Sequence, residues 1–305
     1  MPKTPLNSLP GLLAGLTAAA IWGGMYVVSK VVLDVIPPFA LLTSRLALGF
    51  LALWLVIAWR GRLSSLPGHG FSLSLSRSQF ISAFWVGVVG YGISLGFQFV
   101  GTKLSTAANG ALVTSATPAL VLPFAWLLLK EPVTRRRLLA ILVASLGVLA
   151  VIDPRSADLS SDLFLGNLSL LGAALTWALY SVLVRKVSEQ GMDLLQATAV
   201  FLLGGLPITI PLGIWELSTQ GMGQITPAII GGILFLGIIS TAIAMFLWNY
   251  AFARLPAAVA SLTFFAQPLV GALLGWFFLG EQITALFLLG GVLIGAGILI
   301  SSSES

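Results

Sequence analysis

The chain has 305 residues, of which 58% are hydrophobic and 8% charged, against roughly 45–50% and roughly 25% in an average soluble domain. So few charges cannot cover a water-soluble surface, and the net charge of +5 sits mostly between apolar blocks, which favours membrane topology over nucleic acid as its explanation. The absence of cysteine removes disulfides, thiolate metal sites and cysteine nucleophiles together, and no cofactor or metal is expected.

The apolar blocks are each about twenty residues long, enough to cross roughly 30 Å of hydrocarbon as a helix. In chain order the predicted spans are 10–33, 38–59, 79–101, 107–129, 136–152, 164–186, 192–213, 227–252, 257–279 and 283–301. The N-terminus, Met1 to Pro10, carries one Lys and no small-residue cleavage site follows its apolar stretch, so the first span reads as a retained helix and not a signal peptide. The longest gap, Arg60 to Ser78, holds the single histidine, His69, several serines and a Pro-Gly pair, and reads as a surface loop.

Alternate gaps test this arrangement, because cytoplasmic loops collect Lys and Arg. With the N-terminus inside, the inner gaps hold Lys3, Arg60, Arg62, Arg77, Lys130, Arg135, Arg136, Arg137, Arg185, Lys186 and Arg254, and the outer gaps only Lys30, Lys103 and Arg155. Both termini are therefore expected in the cytoplasm.

The sequence also repeats itself. A shift of 150 residues superposes Pro118 on Pro268, Trp126 on Trp276, Glu131 on Glu281, Thr134 on Thr284 and Gly147 on Gly297. Nearer the start of each half the shift is 155, pairing Gly11 with Gly166, Trp22 with Trp177, Lys30 with Arg185 and Gly49 with Gly204. The expected units are 1–155 and 156–305. Each holds five spans, an odd number, so the second enters the membrane from the opposite side. The fold class that follows is an all-α membrane protein of ten transmembrane helices in two inverted five-helix repeats, a recurrent build for alternating-access transporters.

Trp22-Gly23-Gly24, Ser29-Lys30, Pro37-Pro38 and Arg45, with Pro118 and Glu131 and their echoes Pro268 and Glu281, resemble the EamA-type ten-helix transporters of the drug/metabolite transporter superfamily over essentially the whole chain. The finer likeness is to bacterial exporters of aromatic and other neutral amino acids. The resemblance implies a basket of helices around a central cavity lined by the first four spans of each half, with the fifth and tenth outside. It also implies residence in the bacterial inner membrane.

Polar and aromatic groups at mid-depth are the candidates for a pathway. Trp22 and Trp177, repeat partners at mid-span, read as a symmetric pair of indoles able to clamp a ring or a cation and to offer an N–H donor. Around them the candidates for solute binding are Tyr26, Tyr91, Thr114, Tyr180, Ser181, Thr241, Trp248 and Gln267, each of which equally suits plain helix–helix bonding. Gln98 and Asn109 are placed near the outer mouth, Trp248 and Asn249 near the inner one, where they suit gates or plain interfacial contacts equally. Pro118 and Pro268 read as hinges, exposed carbonyls or fixed bends. Arg45, the base inside a span, reads as a structural tie, with a carboxylate contact as the alternative and snorkelling open to it. Glu131 and Glu281, each three residues before a Thr, read as devices at the start of the following helix.

Asp34, Glu131, Glu216 and Glu281 all fall at span edges, so no carboxylate is expected near a span centre. That points to facilitated diffusion of a neutral or zwitterionic solute, amino acids with aromatic or hydrophobic side chains above all, with an ion-coupled exporter of another metabolite or a drug as the alternative. A membrane-embedded enzyme acting on lipids would need an acid–base or metal set, and His69, Asp34 and Glu131 do not compose one. The expected partners are the solute and the lipid bilayer, with the oligomeric state open.

Overall fold

Inside a bilayer every backbone polar group must be satisfied internally, which selects helices for an open chain. The computed structural model describes residues 9–64, 75–105, 117–152, 164–279 and 285–302, and those residues form helices and contain no strand. They are α1 (Leu9–Leu33), α2 (Pro38–Ser64), α3 (Arg77–Leu104), α4 (Thr117–Leu129), α5 (Arg135–Ile152), α6 (Phe164–Ser188), α7 (Leu194–Gln220), α8 (Pro227–Arg254), α9 (residues 257–279) and α10 (Ala285–Ser302). Six of them, α1, α2, α3, α6, α7 and α8, are long and apolar enough to cross a membrane, and shorter apolar helices lie in α4, α9 and α10.

Several helices run beyond the apolar blocks because polar residues cap them. Ser76 and Gln79 form a reciprocal capping box that starts α3 at Arg77. Asp193 accepts from the backbone N–H groups of Leu195 and Gln196 to start α7. That helix continues through Pro207 and Pro211 to Gln220, past the expected end at 213, so Glu216 lies inside a helix and not in a gap. Its buried carboxylate accepts from the N–H groups of Phe39 at 2.7 Å and Ala40 at 3.2 Å, where it caps α2 and favours that helix's positive end. Thr134 caps α5 by accepting from Arg137 N–H, as the sequence suggests. Glu131, however, serves a different helix from the one expected. Its carboxylate accepts from Ala257 N–H at 2.9 Å, at the start of α9, and pairs with Arg185 at 3.3 Å and Arg137 at 3.4 Å. Glu281 and Thr284 lie outside the described residues.

The packing has a regular plan: α1 lies on α8 and α9, α2 on α7 and α8, α6 on α3 and α4, α7 on α3, and α5 on α10. Exchanging each helix with the one five places away returns the same set. The repeat-matched glycines explain part of this. A Cβ on Gly147 would stand 2.7 Å from the Gly290 carbonyl oxygen, and one on Gly297 2.7 Å from that of Ala140, so only glycine lets α5 and α10 approach so closely. One extended core joins the other eight helices, while Ala140, Ile141, Ala144 and Ile294 hold α5 and α10 against α4 and α9 in a smaller cluster.

Helix ends gather in two layers. In one, the start of α1 meets the end of α8 (Gly11 on Leu255), the end of α2 meets the start of α7 (Arg60–Asp193, 3.7 Å) and Glu131 meets α9. In the other, the end of α1 meets the end of α3 (Lys30 Nζ donates to the carbonyls of Thr102 and Ser105, 3.4 Å each), and Glu216 meets α2. We call these the Leu9 face and the Leu33 face.

Candidate functional site

Three indoles meet at mid-depth. The Trp22 ring lies 5.7 Å from Trp177, edge to face, and 5.4 Å from Trp248, with Phe264 6.1 Å away. On the Leu33 side of this cluster a tight cavity of about 30 Å³ is lined by Trp22, Met25, Ser94, Leu95, Gln98, Thr117, Ala173, Ala174, Trp177, Met245, Phe264 and Gln267. That is room for only a water or two, well short of the roughly 300–1,000 Å³ of small-molecule sites, so admitting a solute requires the wall to open. Its wall draws on α1, α3 and α4 and on their counterparts α6, α8 and α9. None of the lining residues is ionisable.

The polar atoms of the wall divide into two sets. Some are already paired: Trp22 Nε1 donates to the Ser240 carbonyl at 3.0 Å, Ser94 Oγ to the Ala173 carbonyl at 2.9 Å, and Gln98 Nε2 to Tyr26 Oη at 3.1 Å. Trp177 Nε1, Thr117 Oγ1 and Gln267 Oε1 are buried without a hydrogen-bond partner among the described residues. A buried unpaired polar group costs about 1–3 kcal/mol, so a donor, a hydroxyl and an acceptor grouped on one cavity wall mark where a polar solute gains most. Thr117 and Gln267 are related by the 150-residue shift, and each directly precedes one of the matched prolines.

Toward the Leu9 face the cavity is closed. Trp248 is fully buried, 4.9 Å from Phe252 and 5.4 Å from Phe264, and its Nε1 donates to Ser181 Oγ at 3.2 Å. Beside it, Tyr180 Oη donates to Asn249 Oδ1 at 2.7 Å and therefore accepts from Tyr91 Oη, also at 2.7 Å, while Asn249 Nδ2 donates to Thr198 Oγ1 at 3.1 Å. Farther out, Arg185 links Glu131 to the carbonyls of Phe252 and Leu255 at the end of α8.

The sequence candidates thus fall into separate places. Trp22, Trp177, Gln98 and Gln267 line the cavity, and Tyr26 stands directly behind Gln98. Tyr91, Tyr180, Ser181, Trp248 and Asn249 form the packed layer beneath it, so neither Trp248 nor Asn249 stands at a mouth. Arg45 does not snorkel: at 0% exposure its guanidinium donates to Thr241 Oγ1 at 2.8 Å, reaches Met25 Sδ at 3.7 Å and lies 5.0 Å from the Phe99 ring. Pro118 is buried in the first described turn of α4, and Pro268 follows a short 3₁₀ turn, Thr263–Phe265, which absorbs the bonding it disrupts. Thr114 and Asn109 lie outside the described residues. Sequence reasoning missed Met25, Ser94, Thr117, Met245 and Phe264, of which only Thr117 carries a signal, as the residue aligned with Gln267.

Two stretches of π-helix, Val88–Ser94 in α3 and Phe235–Ile243 in α8, flank the site at nearly matched positions. Such bulges disturb the regular i−4 ladder. The Ser240 carbonyl that receives Trp22 lies in the second.

The EamA-like transporter family model matches residues 9–152 and again 164–303. The chain belongs to that family. A protein of Bacillus subtilis strain 168 called "Uncharacterized transporter YyaM" is 28% identical over 237 residues, 77% of each chain. A "Probable amino-acid metabolite efflux pump" of Salmonella typhimurium strain LT2 is 28% identical over 300 residues, covering 95% of this chain and 94% of its own. A solved crystal structure shares the fold with a TM-score of 0.76 at 19% identity, over 97% of this chain and 99% of the other. With its apolar helices, the chain is a multi-pass membrane protein of a transporter family.

Proposed function

We propose that this transporter moves small neutral or zwitterionic metabolites, amino acids with aromatic or hydrophobic side chains foremost, by facilitative export through alternating access. Ten spans form two inverted repeats, 1–155 and 156–305, in the bacterial inner membrane, with the Leu9 face and both termini in the cytoplasm. The packing plan that survives exchange of the halves supports the inverted repeats, and the Lys and Arg of the Leu9 face support the orientation.

One observation carries the solute class: an aromatic cavity wall that presents an indole N–H, a hydroxyl and an amide oxygen without partners, and no ionisable side chain. A phosphate or a multivalent cation would enter without a counter-charge, at a large desolvation penalty. An apolar body bearing a small polar head group matches the chemistry of this wall. The name of the Salmonella relative agrees with an amino-acid metabolite. The test is counterflow of labelled phenylalanine, tryptophan, methionine and threonine in reconstituted vesicles. Saturable exchange of at least one is expected, and exchange of none, with phosphorylated sugars or organic cations carried instead, rejects the solute class.

A further inference from the structure

Two sets of hydrogen bonds recur in the two halves, and one bond of the cavity wall lacks the counterpart that the repeat offers it. Lys30 donates to the carbonyls of Thr102 and Ser105, and Arg185, its repeat partner, donates to those of Phe252 and Leu255, each 150 residues further on. Gln98 donates to Tyr26 at 3.1 Å, and Trp248 donates to Ser181 at 3.2 Å, again at shifts of 150 and 155. These bonds lie within a half. The bond from Trp22 Nε1 to the Ser240 carbonyl runs between halves, and its counterpart would run from Trp177 Nε1 to the Gly90 carbonyl. It is not made, for Trp177 Nε1 has no partner among the described residues.

The asymmetry does not lie in the donor or acceptor groups themselves. Both donors are indoles, both acceptors are backbone carbonyls, and both acceptors lie in π-helical segments, Val88–Ser94 and Phe235–Ile243. The Gly90 carbonyl accepts from Leu95 N–H and keeps a second lone pair. Tyr180, one turn after Trp177, already packs on Gly90, where a Cβ would come within 2.2 Å of its ring. The neighbours differ, Gly90 and Tyr180 in one place against Ser240 and Met25 in the other, and the unmade bond sits at the interface between halves, which rearranges when inverted repeats exchange their conformations.

We propose that Trp22 and Trp177 exchange roles in each transport cycle. In the state described, Trp22 is latched to the backbone of α8 and Trp177 offers its N–H to the solute. In the opposite state Trp177 is latched to the Gly90 carbonyl of α3 and Trp22 offers its N–H. The solute then meets one indole donor whichever way the cavity faces, and each latch stabilises one state alone. This rests on the inverted-repeat reading above.

The test uses the cysteine-free background, with a reporter Ala174→Cys in the cavity wall and a membrane-impermeant maleimide applied from the Leu33 face of the reconstituted full chain. Trp→Phe keeps a ring and removes the N–H. A hydrogen bond worth about 0.6–1.7 kcal/mol in a membrane protein corresponds to about a three- to twentyfold change in population. Trp22→Phe is expected to slow labelling by up to that factor, and Trp177→Phe to leave it unchanged or speed it. In counterflow of labelled phenylalanine, Trp177→Phe should raise the half-saturation concentration mainly at the Leu33 face and Trp22→Phe mainly at the Leu9 face. Shifts of labelling in the same direction, or none in either variant, overturn the exchange. A reporter at Thr117→Cys repeats the reading if Ala174→Cys disturbs the wall, and one folded Trp variant suffices to give the sign. If the unsubstituted protein carries no phenylalanine, the solute class fails while labelling still decides the exchange.

Discussion

Removing one hydroxyl from the buried layer beneath the cavity gives a sharp test of its hydrogen-bond directions. Tyr180 Oη donates to Asn249 Oδ1 and accepts from Tyr91 Oη, both at 2.7 Å and at full burial. Tyr180→Phe therefore leaves two orphans, the Asn249 carbonyl and the Tyr91 hydroxyl proton, with little change of volume. Soluble-protein values of about 1–3 kcal/mol per orphan give about 2–6 kcal/mol. Membrane-protein cycles, averaging about 0.6 and reaching about 1.7 per bond, give about 1–3 kcal/mol for two. The ranges overlap at about 2–3 kcal/mol, which is the expected loss. Tyr91→Phe strands no donor, because Asn249 Nδ2 keeps Thr198 at 3.1 Å and gives up only a 3.4 Å contact, so its expected loss is about 1 kcal/mol or less. The double variant removes the proton that Tyr180→Phe orphans, and should be no less stable than Tyr180→Phe alone. Reversible unfolding in mixed micelles, followed by tryptophan fluorescence, measures all three. A Tyr91→Phe loss equal to that of Tyr180→Phe, with an additive double variant, would refute the assigned directions.

Four further outcomes follow from the same geometry. Glu216→Ala removes the acceptor for Phe39 and Ala40 N–H and should cost about 1–2 kcal/mol in the same unfolding assay, with Glu216→Gln recovering part of it. Gly147→Leu forces a side chain against the Gly290 carbonyl and should cost about 1–3 kcal/mol, read as loosened contact between α5 and α10 by crosslinking. Glu131→Gln weakens the ion pairs to Arg185 and Arg137 while Ala257 N–H keeps an oxygen acceptor. Cysteines near Arg185 and Ala257 should then react with maleimide faster, and unchanged rates would count against a closing role for this cluster. Vesicles with an imposed pH difference should equilibrate labelled solute without accumulating it, because no carboxylate lines the cavity, and accumulation driven by that difference would reject facilitated diffusion.

The sequence by itself determined the kind of molecule and pointed to the plan of its halves. Apolar runs of bilayer length and a scarcity of charge leave no soluble alternative, and matched Trp, Pro, Glu and Gly residues mark the duplication, because such matches are rare in a chain dominated by Leu and Ala. Trp22, Trp177 and Gln267 were legible as lining candidates for the same reason, since uncommon polar or aromatic residues at mid-depth stand out against aliphatic ones, whereas Gln98 read as a residue of the outer mouth. Met25, Met245 and Phe264 were not, because an apolar side chain on a membrane helix looks alike whether it faces lipid, a neighbour or a cavity.

Only the tertiary structure decided which polar atoms are already spent. Arg45, Tyr91, Tyr180 and Thr241 are as polar in the sequence as Gln267, yet their partners come from helices far along the chain, and 196 residues separate Arg45 from the Thr241 hydroxyl that receives it. The same holds for Glu216 and Glu131, which cap helices distant in sequence. The two tryptophans make the point most plainly: identical residues at matched positions differ because one indole N–H finds a carbonyl across the interface and the other does not. Hydrogen-bond satisfaction depends on distances of about 3 Å between separate helices, and no periodicity along one helix encodes it.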